Sequence, residues 1–310
     1  MKTVGIHHIT AIVGNVQENV DFYAGVLGLR LIKQTVNFDD PGTYHLYFGN
    51  EGGKPGTIIT FFPWERAVKG QIGGGQVGIT SYAIPVGAMP FWEKRLDKFN
   101  IAYSKTSRFG EDYLQFTDYH GLILELVERE GGERNEWAFG DVTADVAIKG
   151  FAGAVLFSTD PQSTNDTVAQ TMGLEKEASE DDLVRYRSSA DIGNTVDIKQ
   201  TAVPEGRMGV GTVHHIAWRA KDKQDHQEWQ EHVRSHNHYV TEVRDRNYFD
   251  AIYFREKGNI LFEIATDTPG FAHDESYETM GSEIMLPAQY EPKRDELTRD
   301  LRSFEVRSLD

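Results

Sequence analysis

Apolar and polar positions along the chain change period in a fixed order, and that order recurs. Near the start, Gly5-Ile6-His7-His8-Ile9-Thr10-Ala11-Ile12-Val13 has the apolar, β-branched character of a strand. Asn15 stands where a helix N-cap belongs, with Glu18 three residues on as its capping-box partner. Val16, Val20, Tyr23 and Leu27 fall at 0, +4, +7 and +11, an apolar stripe of helical period. Gly28 is set to end that helix in the left-handed conformation. Strand-like runs follow at Leu29 to Phe38, Tyr44 to Phe48 and Thr57 to Phe62, so the unit reads βαβββ.

Three further copies follow. Ile79 to Val86, Met89 to Phe99, and strands near Tyr103, Tyr113 to Thr117 and Leu122 to Val127 make the second. Ala154 to Thr159, a helix through Val168 and Met172, and strands at Val184 to Arg187 and Thr195 to Lys199 make the third. Val213 to Arg219, a helix around Trp229 and Val233, then Val240 to Arg244, Ala251 to Arg255 and Ile260 to Ile264 make the fourth. Such a unit has one apolar sheet face and one helix, too little to stand alone, so units must pair into a curved sheet. The predicted fold is α+β: four βαβββ modules paired into two domains, residues 1–130 and 150–267, with curved mixed sheets enclosing a metal-binding cleft. Residues 131–149, charged and containing Gly131-Gly132, read as a linker. Residues 268–310 read as a tail ending in a helix with Leu297, Leu301 and Phe304 on one stripe. Its segment from Phe271 to Tyr290 is expected to cover the cleft as a lid.

The repeat allows comparison within one sequence. The first strands line up as His8-Ile9-Thr10-Ala11, Ser81-Tyr82-Ala83-Ile84, Ala154-Val155-Leu156-Phe157 and His215-Ile216-Ala217-Trp218. Only modules one and four carry histidine there, as the pairs His7-His8 and His214-His215. Strand side chains alternate faces, so one of each pair points into the cleft, and Thr10 shares the face of His8. In the last strands, Thr60 or its neighbour matches Glu263. Glu263 is an acid in an apolar strand, where an unpaired carboxylate is expensive to bury and a bound cation removes the cost. A lone strand histidine is ordinarily a hydrogen-bonded core residue. Two at one repeat position, with an acid at another, weigh toward metal. Two imidazoles and a carboxylate form the facial triad of non-haem Fe(II) oxygenases. The cluster His226, His232, His236 and His238 lacks the Glu of HExxH and reads as a solvated helix face.

Composition narrows the partners. Across 310 residues, 32 Lys+Arg against 48 Asp+Glu leave a formal charge of −16, which repels nucleic-acid phosphates and anionic headgroups. Neither nucleic acid nor a membrane is an expected partner. The absence of cysteine excludes disulfides, thiolate metal sites and a Cys nucleophile, and suits a reducing cytoplasm. The first residues lack the pattern of a signal peptide, and no apolar stretch approaches the roughly 18 residues of a membrane span. A soluble, cytoplasmic protein is expected, with homo-oligomerisation left open.

Several stretches carry a family resemblance: His7-His8-Ile9-Thr10, Tyr44-His45-Leu46-Tyr47-Phe48, Val213-His214-His215-Ile216-Ala217, Asp245-Arg246-Asn247-Tyr248-Phe249, and Ile252 to Glu256 running on to Leu261 to Asp267. The sequence resembles the vicinal-oxygen-chelate (glyoxalase/bleomycin-resistance/extradiol dioxygenase) superfamily, and within it the hydroquinone-type ring-cleaving dioxygenases. The resemblance implies Fe(II), or Mn(II), held by His8, His215 and Glu263, with O₂ and a dihydroxylated aromatic as co-substrates. It also implies that His7, Thr10, His214, Arg246 and Tyr253 lie in or near the active site. His7 or His214 would move a phenolic proton or orient the metal ligands, while Tyr253 and Arg246 would donate to a ring oxygen. Catechol-cleaving relatives take their first histidine from module three, where this chain offers Ala154, so modules one and four must share one cleft. Two rival readings are a glyoxalase-like lyase or isomerase, which usually adds a Glu ligand at the place of Thr60, and a non-catalytic binder of aromatic ligands, which needs no metal. Thr60 is expected at the open face of the metal, opposite Glu263.

Overall fold

Four βαβββ modules are present in the computed structural model, which describes residues 1–310. Module one comprises β1 (Ile6–Val13), α1 (Val16–Val20, continued by a π-helical turn over Asp21–Val26), β2 (Arg30–Asn37), β3 (Asp40–Gly49) and β4 (Ile58–Pro63). Module two is β5 (Gln76–Ile84), α2 (Met89–Lys98), β6 (Tyr103–Arg108), β7 (Glu111–Thr117) and β8 (Ile123–Glu128). Module three is β9 (Gly150–Phe157), α3 (Pro161–Asp166, again widened into a π turn), β10 (Glu175–Glu180), β11 (Leu183–Arg187) and β12 (Thr195–Lys199). Module four is β13 (Thr212–Ala220), α4 (Lys223–Ser235), β14 (Arg244–Asp245), β15 (Phe249–Arg255) and β16 (Leu261–Pro269).

The modules join as two eight-stranded mixed sheets, ordered β14-β15-β16-β13-β1-β4-β3-β2 and β10-β11-β12-β9-β5-β8-β7-β6. Module one therefore shares a sheet with module four, and module two with module three. Consecutive modules, the grouping behind residues 1–130 and 150–267, lie in different sheets. The central seams are antiparallel, β1 on β13 and β5 on β9, and one continuous apolar core runs through both sheets.

Local expectations fare unevenly. Val16, Val20, Tyr23 and Leu27 are all buried, and Gly28 takes φ +69 at the helix end, where a Cβ would strike Val142. Asn15 caps the helix by accepting from the backbone N–H of Gln17 and Glu18, but the capping box stays open: the Asn15 N–H donates to His120 Nε2 instead of to Glu18. Strand β10 has no counterpart among the expected strands, because it is an exposed edge, Glu-Lys-Glu-Ala-Ser-Glu, without apolar alternation. Conversely, Val240 to Arg244 forms only a bridge at Val240 and the two-residue β14. The terminal helix α5 spans only Arg294–Arg299 and buries no residue, so the Leu297-Leu301-Phe304 stripe does not define it.

Residues 271–290 are not a lid. None lines the metal cleft; they run along β2, the outermost strand of the first sheet. Gln34 Nε2 donates to Gly281 O at 2.8 Å, Met285 N to Gln34 O at 2.9 Å, and the buried Lys33 pairs with Asp274 and Glu275. Phe271 stacks on Tyr248 and packs against Tyr47, so the tail supports the cleft wall from behind. No helix is long and apolar enough to cross a membrane.

Register fixes the repeat. In the first sheet His8 pairs with Ala217 and Thr10 with His215; in the second, Ile79 pairs with Val155 and Ser81 with Gly153. The places of His8 and His215 are thus held by Ile79 and Gly153, not by Ser81 and Ala154 as the sequence alignment has them. Parallel pairing carries the match outward: Thr10 to Thr60, Ala217 to Glu263, Ser81 to Glu125 and Val155 to Asp197. The second sheet therefore brings two buried carboxylates, Glu125 and Asp197, to its centre and no histidine. A Cβ at Gly153 would collide with the Thr195 carbonyl, so no ligand side chain fits there.

Guanidinium groups neutralise that second centre. Arg108 holds Glu125 through two bonds of 3.0 and 2.8 Å and reaches Asp197 at 2.7 Å, while Arg185 grips Asp197 and Glu111. Removing one partner of a buried ion pair strands the other. Arg108→Ala is therefore expected to lower stability by about 3–5 kcal/mol. Denaturant unfolding measures this, and the metal content per chain, set in the other sheet, should not change.

Candidate metal centre

The metal candidates arise from two matching irregularities in the central seam. Between Ile6 and His8 the pairing of β1 with β13 skips His7; between Thr10 and Ala11 it skips His214. Each is a β-bulge, a device that re-aims side chains beside functional sites. Strict alternation would send neighbouring histidines to opposite faces. The bulges instead let each pair meet edge to edge, with His7 Nδ1 2.9 Å from His8 Nδ1 and His214 Nδ1 2.8 Å from His215 Nδ1. In the second sheet the skipped residues are Gly78 and Ala152, which have nothing to aim.

His8, His215 and Glu263 converge on one point, all buried. His215 Nε2 lies 2.8 Å from Glu263 Oε2, His8 Nε2 lies 3.5 Å from the same oxygen, and the two Nε2 atoms are 3.3 Å apart. Neither oxygen of Glu263 has a hydrogen-bond partner, although His215 lies close by. Donors on one face of an octahedron with bonds of about 2.1 Å stand roughly 3 Å apart. The three atoms have that spacing, and an orphaned buried carboxylate is what a cation would complete, so the donor set fits a divalent metal. Burial pushes the Glu263 carboxyl up, but the facing His8 and His215 outweigh it and hold the group well below the usual carboxylate range. Burial pushes His215 down, toward the neutral form that ligates.

Hydrogen bonding sets the tautomers. His7 Nε2 meets the Thr266 carbonyl at 3.1 Å, and a carbonyl only accepts, so the proton of His7 is on Nε2. His7 is neutral, because burial and then His8 hold it well below its ordinary value. Its Nδ1 must then accept from His8 Nδ1–H, leaving the His8 Nε2 lone pair facing the triad. With His215 ligating through Nε2, its Nδ1–H donates to His214 in the same way. That leaves an N–H of His214 on the cavity, which this residue lines. Burial, then His215, pushes His214 down to about 3.

A cavity of about 320 Å³ opens from the triad. Phe62, Trp64, Phe249 and Tyr47 supply apolar walls, and Arg246 and Tyr253 also line it. Arg246 Nε donates to Tyr253 Oη at 3.3 Å and its other end pairs with Asp39 at 2.8 Å, tying module four to the module-one hairpin at the rim. Burial and then Glu263 raise the Tyr253 phenol, so it remains a protonated donor.

Thr10 does not line the cavity; its hydroxyl meets that of Thr60 at 2.7 Å. Thr60 has the register expected of it but not the exposure: His45 Nε2 closes over its hydroxyl at 2.8 Å. His45 lines the cavity and was not singled out in the sequence. Its signals there are membership of the Tyr44 to Phe48 stretch that carries the family resemblance and its place two residues from Tyr47, on the same strand face. The helix histidines form no site. His226 is buried and bonds Ile264 O at 2.8 Å, and His232 bonds Thr171 O at 3.0 Å, so a solvated face describes neither.

Removal of any triad side chain, in His8→Ala, His215→Ala or Glu263→Ala, is expected to abolish stoichiometric metal. His7→Phe keeps all three ligands but loses the support of His8, and should weaken metal affinity by about 10–100-fold. His232→Ala should leave affinity unchanged. Metal titration of each purified variant checks the series.

Comparison with known proteins agrees with this architecture. The model of the Glyoxalase/Bleomycin resistance protein/Dioxygenase superfamily matches residues 5–126 and 150–264. MhqO of Bacillus subtilis (strain 168), named as a ring-cleaving dioxygenase, is 68% identical over 309 residues, covering 100% of this chain and 99% of the relative. A chlorohydroquinone/hydroquinone 1,2-dioxygenase of Sphingobium indicum is 33% identical over 312 residues, covering 97% and 96%. The crystal structure of a protein from Bacillus subtilis named as a dioxygenase superposes with a TM-score of 0.98 at 68% identity, over 99% of both chains. The chain belongs to the glyoxalase/bleomycin resistance protein/dioxygenase superfamily.

Proposed function

We propose that this chain is an Fe(II)-dependent, extradiol-type ring-cleaving dioxygenase acting on hydroquinone-like aromatics with O₂. The observation that carries the reading is a three-donor face, His8, His215 and Glu263, opening onto an aromatic-walled cavity. Three protein ligands leave positions free for two small co-substrates. Relatives at 68% and 33% identity, named for ring cleavage and for hydroquinone, support it. Bound iron would supply Lewis acidity at a phenolic oxygen and an adjacent site for O₂. Mn(II) accepts the same ligands. The charge of −16 and the lack of cysteine support a cytoplasmic enzyme with small-molecule partners only.

The residues divide the work. Phe62 and Phe249 give the cavity apolar surface that disfavours water and suits an aromatic ring. Tyr253, polarised by Arg246, donates to the ring oxygen as negative charge develops there. His214, neutral and with an N–H on the cavity, holds a further acceptor, while His7 has no access and serves only to orient His8.

The glyoxalase-like alternative usually adds a fourth ligand at the place of residue 60, where this chain has threonine. Thr60→Glu, whose carboxylate must push aside the overlying His45 to reach the cation, is expected to retain or tighten metal binding while lowering oxygenase turnover at least about tenfold, by adding a fourth ligand. The parent test is anaerobic reconstitution with Fe(II) or Mn(II), then oxygen uptake on hydroquinone and catechol. Uptake with hydroquinone and ring-opened products absorbing in the near ultraviolet are expected. Turnover of catechol without hydroquinone would remove the substrate assignment.

A further inference from the structure

The cavity has two tyrosines at pseudo-equivalent places. Tyr47 pairs with Thr60, which pairs with Thr10; Tyr253 pairs with Glu263, which pairs with Ala217. The local two-fold that relates His8 to His215 therefore relates Tyr47 to Tyr253, one on each wall. Their partners differ in kind. Arg246 only donates, so the Tyr253 oxygen accepts from it and the Tyr253 O–H always points elsewhere. Tyr47 Oη instead meets His45 Nδ1 at 2.9 Å, His45 Nε2 meets Thr60 Oγ1 at 2.8 Å, and Thr60 meets Thr10 at 2.7 Å.

The bond lengths let that four-membered chain run in either direction, although only the direction with the imidazole proton on Nδ1 gives both threonine hydroxyls an acceptor within it. With the imidazole proton on Nδ1, His45 donates to Tyr47, whose O–H is freed to donate into the cavity. With the proton on Nε2, Tyr47 donates to His45 and offers the cavity a lone pair. The far end, Thr10, is buried and has no side-chain partner beyond Thr60, so the chain can turn the Tyr47 hydroxyl but cannot carry a proton away. His45 is wedged between the rings of Tyr47 and Phe62, at 4.1 and 4.5 Å, which keeps it in place while its tautomer changes.

We propose that Tyr47 is a second substrate-contact residue, binding the ring oxygen that the metal does not hold, and that His45 positions it by setting which way its hydroxyl points. This rests on the ring-cleaving reading above. Tyr253 stands beside the triad, its ring centroid 5.8 Å from that of His215 and its backbone paired with Glu263, so a ring oxygen held at the triad would meet this phenol on the wall of module four. A para oxygen lies at the opposite edge of the ring, toward module one, where Tyr47 is the phenol at the equivalent place. An ortho oxygen stays on the first edge and does not cross. The pair of tyrosines thereby selects para-dihydroxylated rings, and the reversible partner lets one of them meet either a hydroxyl or its anion.

The test compares anaerobic binding of hydroquinone and of phenol to the metal-loaded protein. The wild type should bind hydroquinone about tenfold more tightly, the worth of one well-made hydrogen bond. Tyr47→Phe should erase that preference while leaving metal content and phenol affinity unchanged, which a merely structural role would not do. His45→Phe should lower the same ratio, and His45→Gln, whose amide both donates and accepts, should restore most of it. Retention of the preference in Tyr47→Phe, or an equal loss for both ligands, would overturn the proposal. If the wild type cleaves hydroquinone yet binds it no better than phenol, this inference falls and the functional reading stands. If it neither binds nor cleaves hydroquinone, both fall.

Discussion

Glu263 sets the terms for this molecule. It is fully buried at the centre of an eight-stranded sheet, and neither oxygen receives a donor. Burying an unpaired charge costs several kcal/mol even after relaxation, so a compensating cation must be provided within reach. The two histidines, each braced through Nδ1 by a bulged neighbour, turn their outer nitrogens toward the same point. The bulges, the tautomers and the unusual closeness of three ligand atoms all follow from completing that carboxylate. Two separate bulges, one on each strand of the seam, show how much local pairing is given up to do so.

The second sheet meets the same problem with a different cation. Glu125 and Asp197 occupy the places of Thr60 and Glu263, and Arg108 and Arg185 fill the space between and beside them. A guanidinium brings its own donors in a planar fork and satisfies both carboxylates without histidines. Ile79 and Gly153 stand where the histidines would be, and Gly153 is held to glycine by the neighbouring backbone. One duplicated architecture thus yields one centre able to take a metal and one closed by arginine. The choice is made by a handful of side chains on an unchanged framework.

Much of this was legible in the sequence because the signals were of the right kind. Period-2 and period-3.6 patterns located the four modules, and Glu263 stood out as an acid in an apolar strand. What was not legible depended on pairing between distant strands. Nothing local says that β1 lies beside β13 and not beside β5, because a central strand is apolar on both faces whichever neighbour it has. The bulges were equally hidden: a skipped residue exists only relative to a partner strand, so simple alternation could not show that each pair of histidines meets edge to edge or that His214 lines the cavity. An offset of two residues in the alignment of module two, and of one in module three, came from the same source. His45 was missed because a histidine on a mostly apolar strand has an ordinary explanation, and only the position of Thr60 beneath it removes that explanation.

The openness of the centre comes from broken symmetry. A two-fold copy of the Glu263 side would place a second carboxylate at residue 60, giving two histidines and two acids around one cation. Threonine there is too short to ligate and spends its hydroxyl on Thr10 and His45. The same substitution that removes a ligand therefore builds a wall, since His45 leans on Thr60 and in turn holds Tyr47. Arg246 does the corresponding work on the other side, but with a permanent charge tied to the rim through Asp39. The two halves keep the same backbone register and differ in the electrostatics of their walls: a cationic, donor-fixed wall beside Glu263 and a neutral, reversible one beside Thr60. A substrate whose two oxygens differ in protonation once one is bound to metal would experience those walls as different, and would be oriented by that difference before any bond is made.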